Sequence, residues 1–266
     1  RVRNELLVIK KTMGECCPPG SHGPVEPQAG YIPKGRIETL DDGKVELYVS
    51  EPGERTGKAI LVLHDIFGPD SGRTKQICDI YAENGFVTVL PTLLKGPYPM
   101  FVLPENGGEK VISKLRAGWY LRGFKWKAVG SVLNDHVLPF LKNNLNINSI
   151  GLVSFCWGAW PMVHLMSERH EIIKCGVGFH PSLLVFTVHM ENAKAHLRKI
   201  EVPTMLFSAG NDPADGKPGG FADKALSRTN KYSECLLKEY KQMQHGWVNR
   251  GDLSDENVSR DYEDAF

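Results

Sequence analysis

The sequence predicts an α/β fold, with a mostly parallel central sheet and helices on both faces. Three observations carry this reading. Short apolar runs such as Lys58–His64, Phe86–Leu90 and Thr204–Ala209 are almost uninterrupted, as expected of strands buried on both faces of a parallel sheet. Stretches with helical spacing, Thr74–Asn84 and Trp126–Leu145, separate them. Residues able to do chemistry fall just beyond the ends of the apolar runs, at the sheet edge where α/β proteins place their sites.

In chain order, residues 14–35 are rich in Pro and Gly and show no period, so they are expected to run over the surface. Within them Cys16 and Cys17 are adjacent, with only His22 nearby as a further soft ligand, which points to a structural or exposed role. Arg36–Pro52 reads as a hairpin turning at Asp41-Asp42-Gly43, an antiparallel edge to the sheet. Lys58–His64 is a central strand, followed by the loop Asp65-Ile66-Phe67-Gly68. The helix Thr74–Asn84 stops at Gly85, and the strand Phe86–Leu90 stops at Pro91. From Thr92 to Arg122 the text is irregular and dotted with Gly and Pro, an insert expected to cover a pocket; Arg116 and Arg122 in it are candidate partners for a carboxylate.

Trp126–Leu145 carries an apolar stripe from Ala128 to Leu141 that packs a helix on the sheet. Ile150–Val153 is the next strand and runs into Ser154-Phe155-Cys156-Trp157-Gly158-Ala159, then into a buried helix with Met162, Val163, Leu165 and Met166, in which His164 reads as packed. Ile172–Phe179 is a strand ending at His180. His189 and His196 fall in one predicted helix ending near Lys199 and read as surface residues without metal-site spacing. Thr204–Ala209 leads to Gly210-Asn211-Asp212, and Cys235–Tyr240 leads to Gln244-His245-Gly246.

The strand, turn and helix around Cys156 form the organising element. A nucleophile on such a turn needs small residues two before and two after it, because other backbone passes close by; Ser154 and Gly158 meet this need. The first amides of the following helix, Trp157 among them, aim at the sulfur, favouring thiolate and offering a donor to an oxyanion. Asp212 and His245 then follow in the order nucleophile, acid, base, each just past a strand. Asp212 is preferred to Asp215 because it comes first after its strand. His180, at the same edge, is a rival base.

These pieces resemble the dienelactone hydrolase family of the α/β-hydrolases, also called carboxymethylenebutenolidase-like. The resemblance rests on Cys16-Cys17-Pro18-Pro19-Gly20-Ser21, His64-Asp65-Ile66-Phe67-Gly68, Phe155-Cys156-Trp157-Gly158, Gly178-Phe179-His180-Pro181, Gly210-Asn211-Asp212 and His245-Gly246-Trp247. Ser154 and Ala159 stand where the family usually has glycine. The resemblance implies an α/β-hydrolase fold over 13–266 as a single domain, with 1–12 an extraneous or leader segment and the C-terminal helix shorter than usual. It implies a Cys156, His245, Asp212 triad and makes the Ile66 amide the second oxyanion donor. Asp65 takes the place of a carboxylate that touches the resting nucleophile, His180 lines the pocket, and Arg250 binds a substrate carboxylate. The reaction implied is hydrolysis of a small-molecule carboxylic ester or lactone, with no metal or organic cofactor. The alternative is an impaired scaffold that binds a small molecule or senses redox state through Cys156.

Composition sets the remaining expectations. The 266 residues are 41% hydrophobic, enough for one substantial core. Net charge is +1, from 32 basic and 31 acidic residues without long runs of either sign, which argues against nucleic acid or an anionic membrane surface as partner. No apolar stretch reaches the roughly 18 residues of a membrane span. Six cysteines without a signal-peptide pattern point to reduced thiols and a cytoplasmic monomer.

Overall fold

A computed structural model describes residues 17–23, 25, 30–94 and 123–266. The expectations for residues 1–12, for Cys16, and for Arg116 and Arg122 in the insert lie outside the described residues. Among the described residues eight strands form one sheet in the order β1-β2-β4-β3-β5-β6-β7-β8. The predicted hairpin is β1 (Arg36–Leu40) with β2 (Val45–Ser50), antiparallel, Leu40 opposite Val45. Strand β2 also lies antiparallel to β4 (Val87–Pro91). From β4 onward every neighbouring pair is parallel: β3 (Lys58–Leu63), β5 (Ser149–Phe155), β6 (Ile173–Phe179), β7 (Thr204–Ala209) and β8 (Leu236–Tyr240).

The exchange of β3 and β4 in this order places the site. The chain leaves β3 toward one edge to make β4, then returns past β3 to make β5 and continues to the other edge. Connections after β3 and β5 therefore diverge, the point at which α/β sheets of this kind place their sites. Leu63 pairs with Ser154 at that end, so the loops beginning at His64 and Cys156 start side by side.

Alternation along the strands divides the core between the two faces. Leu61, Leu63 and Leu152 point to one cluster with Met162, Val163 and Leu165; Ile60, Val62, Val153 and Phe155 point to another with Ile77, Cys78, Trp247 and Val258. Helix α1 (Thr74–Glu83) covers the second face, as its apolar spacing predicts. On the first face α2 (Trp126–Ser131) continues into wide π-helical turns over Val132–Val137 and Phe140–Asn144. The single regular helix expected here is thus loosened around Pro139, which has no N–H to donate. Helix α3 (Ala159–Ser167), entirely buried, follows the Cys156 turn.

The one helix expected over His189 and His196 is two: α4 (Val185–Val188) and α5 (Ala193–Leu197). Met190 at φ +59 breaks the run, and the Asn192 side chain then accepts the Ala195 amide as an N-cap. Helices α6 (Phe221–Leu226), α7 (Trp247–Arg250) and α8 (Glu256–Ala265) complete the order. Helix α8 starts at an Asp255 cap and lays Val258, Tyr262 and Ala265 on the second core cluster. Among the described residues no helix is long and apolar enough to cross a membrane.

Candidate active site

Cys156 sits at φ +51, in the left-handed region that a residue with a side chain rarely occupies. The chain there passes from the end of β5 into one 3-10 turn, Cys156–Gly158, and then into α3. The turn is tight because it lies against the end of β3: a Cβ on Gly158 would overlap the carbonyl oxygen of Leu63. The small residue expected two after the nucleophile is therefore required. Ser154, two before, is fully buried with Oγ 3.2 Å from Met162 Sδ. Gly178 faces it on β6, so the departure from glycine at 154 is offset by a glycine across the strand pair.

His245 lies beyond β8 and is 1% exposed. Its backbone N–H donates to Asn211 Oδ1 at 2.7 Å, and its Nδ1 is 2.5 Å from Asp212 Oδ1. The other oxygen of Asp212 accepts the Ala209 amide at 2.7 Å, which fixes the carboxylate to the end of β7. With Nδ1 taken by Asp212, Nε2 is the nitrogen left to face sulfur. Burial opposes an imidazolium here, but the Cys156 thiolate, the Asp212 carboxylate and hydrogen bonds to sulfur outweigh it and hold the His245 pKa well above its ordinary value. The triad expected from the order of motifs is thus brought together from the ends of β5, β7 and β8.

His180 is at φ +40 with its ring fully buried, 4.8 Å edge-on from the ring of His245. Burial, and then the positive charges of His245 and Arg250, push its pKa well below the usual histidine value. It is a neutral neighbour of His245. Two residues on, Ser182 Oγ is 3.3 Å from Cys156 Sγ and the Ser182 amide donates to the Cys156 carbonyl at 3.0 Å. Sequence reasoning passed over Ser182, although it adjoins the His180-Pro181 motif.

Asp65 and Arg250 form an ion pair in which both side chains are fully buried. Asp65 also accepts from Asn249 Nδ2 at 2.7 Å and from the Phe67 amide at 2.8 Å. Arg250 donates Nε to the His22 carbonyl at 3.0 Å and lies over the Phe67 ring, 4.9 Å from its centre. Its Nη2 has no hydrogen-bond partner among the described residues. Gly246, at φ +93, makes this possible, since a Cβ there would overlap the guanidinium. Ile66 is buried in the same loop as Asp65, and Trp157 in the first turn after Cys156, where amides have no acceptor within the helix.

Cys17 is the residue most displaced from its expected role. Its sulfur, that of Cys156 and a ring nitrogen of His245 lie within 4.8 Å of one another. The segment is tied to the histidine loop: His22 N donates to the His245 carbonyl at 2.9 Å, and Asn211 Nδ2 to the Pro19 carbonyl at 3.0 Å. Spacing along the chain could not reveal this, because the partners are far apart in sequence.

A second histidine cluster lies away from this edge. His164 Nε2 is 2.8 Å from Glu191 Oε2, which also accepts from Trp160 Nε1 at 2.8 Å. The His164 ring stacks on Trp126 at 4.2 Å and on Phe186 at 5.3 Å, with His196 tilted against it at 4.3 Å. His189 stacks on Trp160 at 4.3 Å. The reading of His189 and His196 as surface residues is therefore corrected: both are half-buried against aromatic rings. One ligand atom each of His164, Glu191 and His196 nonetheless lies within 4.8 Å of the others.

The family model for the dienelactone hydrolase family matches residues 45–265. The chain belongs to this hydrolase family. A carboxymethylenebutenolidase homolog of Xenopus tropicalis is 31% identical over 150 residues, 56% of each chain. The human carboxymethylenebutenolidase homolog is 25% identical over 77% of each chain, and hydrolase tropI of Talaromyces stipitatus 27% identical over 88% of this chain and 87% of that one. Among solved structures, the dienelactone hydrolase of Anabaena variabilis matches 88% of this chain and 97% of its own with a TM-score of 0.51 at 17% identity, a likeness of fold. The α/β-hydrolase architecture expected from the motifs is the architecture found.

Proposed function

We propose that this protein hydrolyses a carboxylic ester or lactone through a thioester acyl-enzyme on Cys156, with His245 as base and Asp212 as its orienting acid. The observation that carries the reading is the strained Cys156 with a buried His245 beside it, itself held by Asp212 at 2.5 Å and shifted toward imidazolium. Such a pair keeps a thiolate ready for attack at neutral pH. Cys156 Sγ adds to the carbonyl carbon, and the amides of Trp157 and Ile66 receive the developing oxyanion. The His245 imidazolium protonates the departing alkoxide. His245, now neutral, takes a proton from water as it attacks the thioester, and Cys156 leaves as thiolate. An ester suits this better than an amide, because a good leaving group compensates for a soft nucleophile.

His180, neutral and pressed against His245, serves as packing that keeps a competing cation away from the base. Asp65 holds Arg250, and the unpaired Nη2 of Arg250 is the donor for a carboxylate on the substrate. The names of the carboxymethylenebutenolidase homologs favour a carboxylate-bearing lactone. The described cysteines are all thiols, in keeping with a reducing compartment such as the cytoplasm. The test is an aryl ester in rapid mixing: a burst of one phenolate per site, and a mass gain of one acyl group that maps to the Cys156 peptide. A burst that survives Cys156→Ala would reject the mechanism. Arg250→Lys should weaken a carboxylate-bearing lactone by about 1.5–3 kcal/mol, the scale of a charged hydrogen bond, and spare a neutral aryl ester. Equal losses on both would reject the anion-binding role.

A further inference from the structure

The reaction just described leaves Cys17 unused, yet its sulfur is at the site. We propose that Cys17 Sγ, Cys156 Sγ and His245 Nε2 form a binding site for a soft divalent cation, of which Zn2+ is the natural probe. Three protein ligands with one open position are a common zinc arrangement, and two thiolates with one imidazole select zinc over magnesium or calcium.

The geometry is close to closure. Around tetrahedral zinc, with bonds of about 2.3 Å to sulfur and about 2.0–2.1 Å to nitrogen, ligand atoms lie roughly 3.5–3.8 Å apart. The three atoms here are within 4.8 Å of one another, so small side-chain rotations bring them onto one ion. His245 is oriented for the task. Its Nδ1 is held by Asp212 at 2.5 Å, the carboxylate–histidine pairing that supports metal-bound imidazoles, while its buried Nε2 has no hydrogen-bond partner of standard geometry. Cys17 is not a loose arm: Asn211, His22 and Arg250 all bond between its segment and the histidine loop.

Binding balances as an exchange. One Zn2+ enters, the proton on His245 Nε2 and the proton on the Cys17 thiol leave to solvent, and the ion is held by two thiolates and a neutral imidazole. That the ion binds rests on the ligands alone. That it blocks ester hydrolysis rests on the proposed roles of Cys156 and His245, since both would be occupied. The His164, Glu191 and His196 group is the weaker site, because Trp126 and Phe186 stack on the His164 ring and Glu191 already accepts from Trp160.

The experiment is a titration of reduced, metal-stripped protein with Zn2+ against a chromophoric chelator, paired with Cd2+ absorbance to count coordinated thiolates and with aryl-ester turnover. One tight ion per chain, two thiolates in the cadmium band and loss of turnover in step with occupancy are expected. Cys17→Ala and Cys17→Ser should keep turnover and weaken zinc by about 100-fold or more, above the 10–100-fold usual for losing an outer partner such as Asp212. Wild-type zinc affinity in both Cys17 variants would overturn the site, as would a cadmium band of fewer than two thiolates or loss of binding on His196→Ala instead. If the wild type turned over no ester, the proposed function would fail while the direct titration still decided the metal site.

Discussion

His245 and His164 are both buried, both hydrogen-bonded to a carboxylate, and both ringed by aromatic or histidine side chains. They differ in what meets the remaining surface of the ring. His164 is stacked on Trp126 and Phe186 within the first core cluster, so its environment is finished. His245 faces the sulfur of a residue forced to φ +51 at the carboxyl edge of the sheet, and its ring charge is raised by that sulfur. A histidine–carboxylate pair is thus no mark of catalysis by itself. Backbone strain at the neighbour and a thiol facing the ring are what separate the two centres.

The comparison is broken most sharply by removing the members of the edge site. Cys156→Ala or His245→Ala should lower kcat for an aryl ester by about three orders of magnitude or more, as expected when a triad loses its nucleophile or base. His164→Ala should instead leave kcat within about twofold and cost about 2–5 kcal/mol in stability, the range for truncating a large buried side chain. Urea unfolding followed by tryptophan fluorescence, run beside steady-state kinetics, measures both. Should His164→Ala lose turnover at unchanged stability, the division between the two centres would collapse.

A smaller effect sharpens the picture within the edge site. His180 is neutral when folded because burial depresses its pKa well below 6.5, whereas the unfolded chain binds a proton there near 6.5. Its contribution to stability is therefore full above pH 6.5 and declines as pH falls, by at most about 1.4 kcal/mol per pH unit. His180→Asn should flatten the fall in Tm between pH 7 and pH 5 relative to the parent. An unchanged slope would mean that His180 is already charged in the fold.

Much of this was legible in the sequence. Parallel strands buried on both faces write themselves as apolar runs, so β3, β5, β6 and β7 could be placed to within a residue or two. The strained turn could be read from small residues flanking Cys156, and Asp212 and His245 from their positions just past strands. What stayed hidden depends on contacts between distant parts of the chain. The Asp65–Arg250 pair joins the loop after β3 to helix α7, far apart in sequence, and Cys17 reaches Cys156 through a segment tied to the histidine loop. The break between α4 and α5 was invisible for a local reason: nothing in the hydropathy of Met190 signals a positive φ.

The position of β8 has a consequence for how activity is gained and lost. Among the described residues it is the rim strand, paired on one side by β7 alone and pinned on its surface by bonds from Lys238 and Tyr240 to Asp264 in α8. The proposed base, His245, hangs from this rim, while the proposed nucleophile, Cys156, hangs from β5 in the middle of the sheet. During synthesis Cys156 is made before His245, and the imidazole reaches the thiol only when the last strand docks. On mild destabilisation the order reverses, for a rim strand can part from its sheet before the centre yields. On the proposed mechanism, catalysis would then cease while most of the fold persists, leaving Cys156 still mounted on its turn.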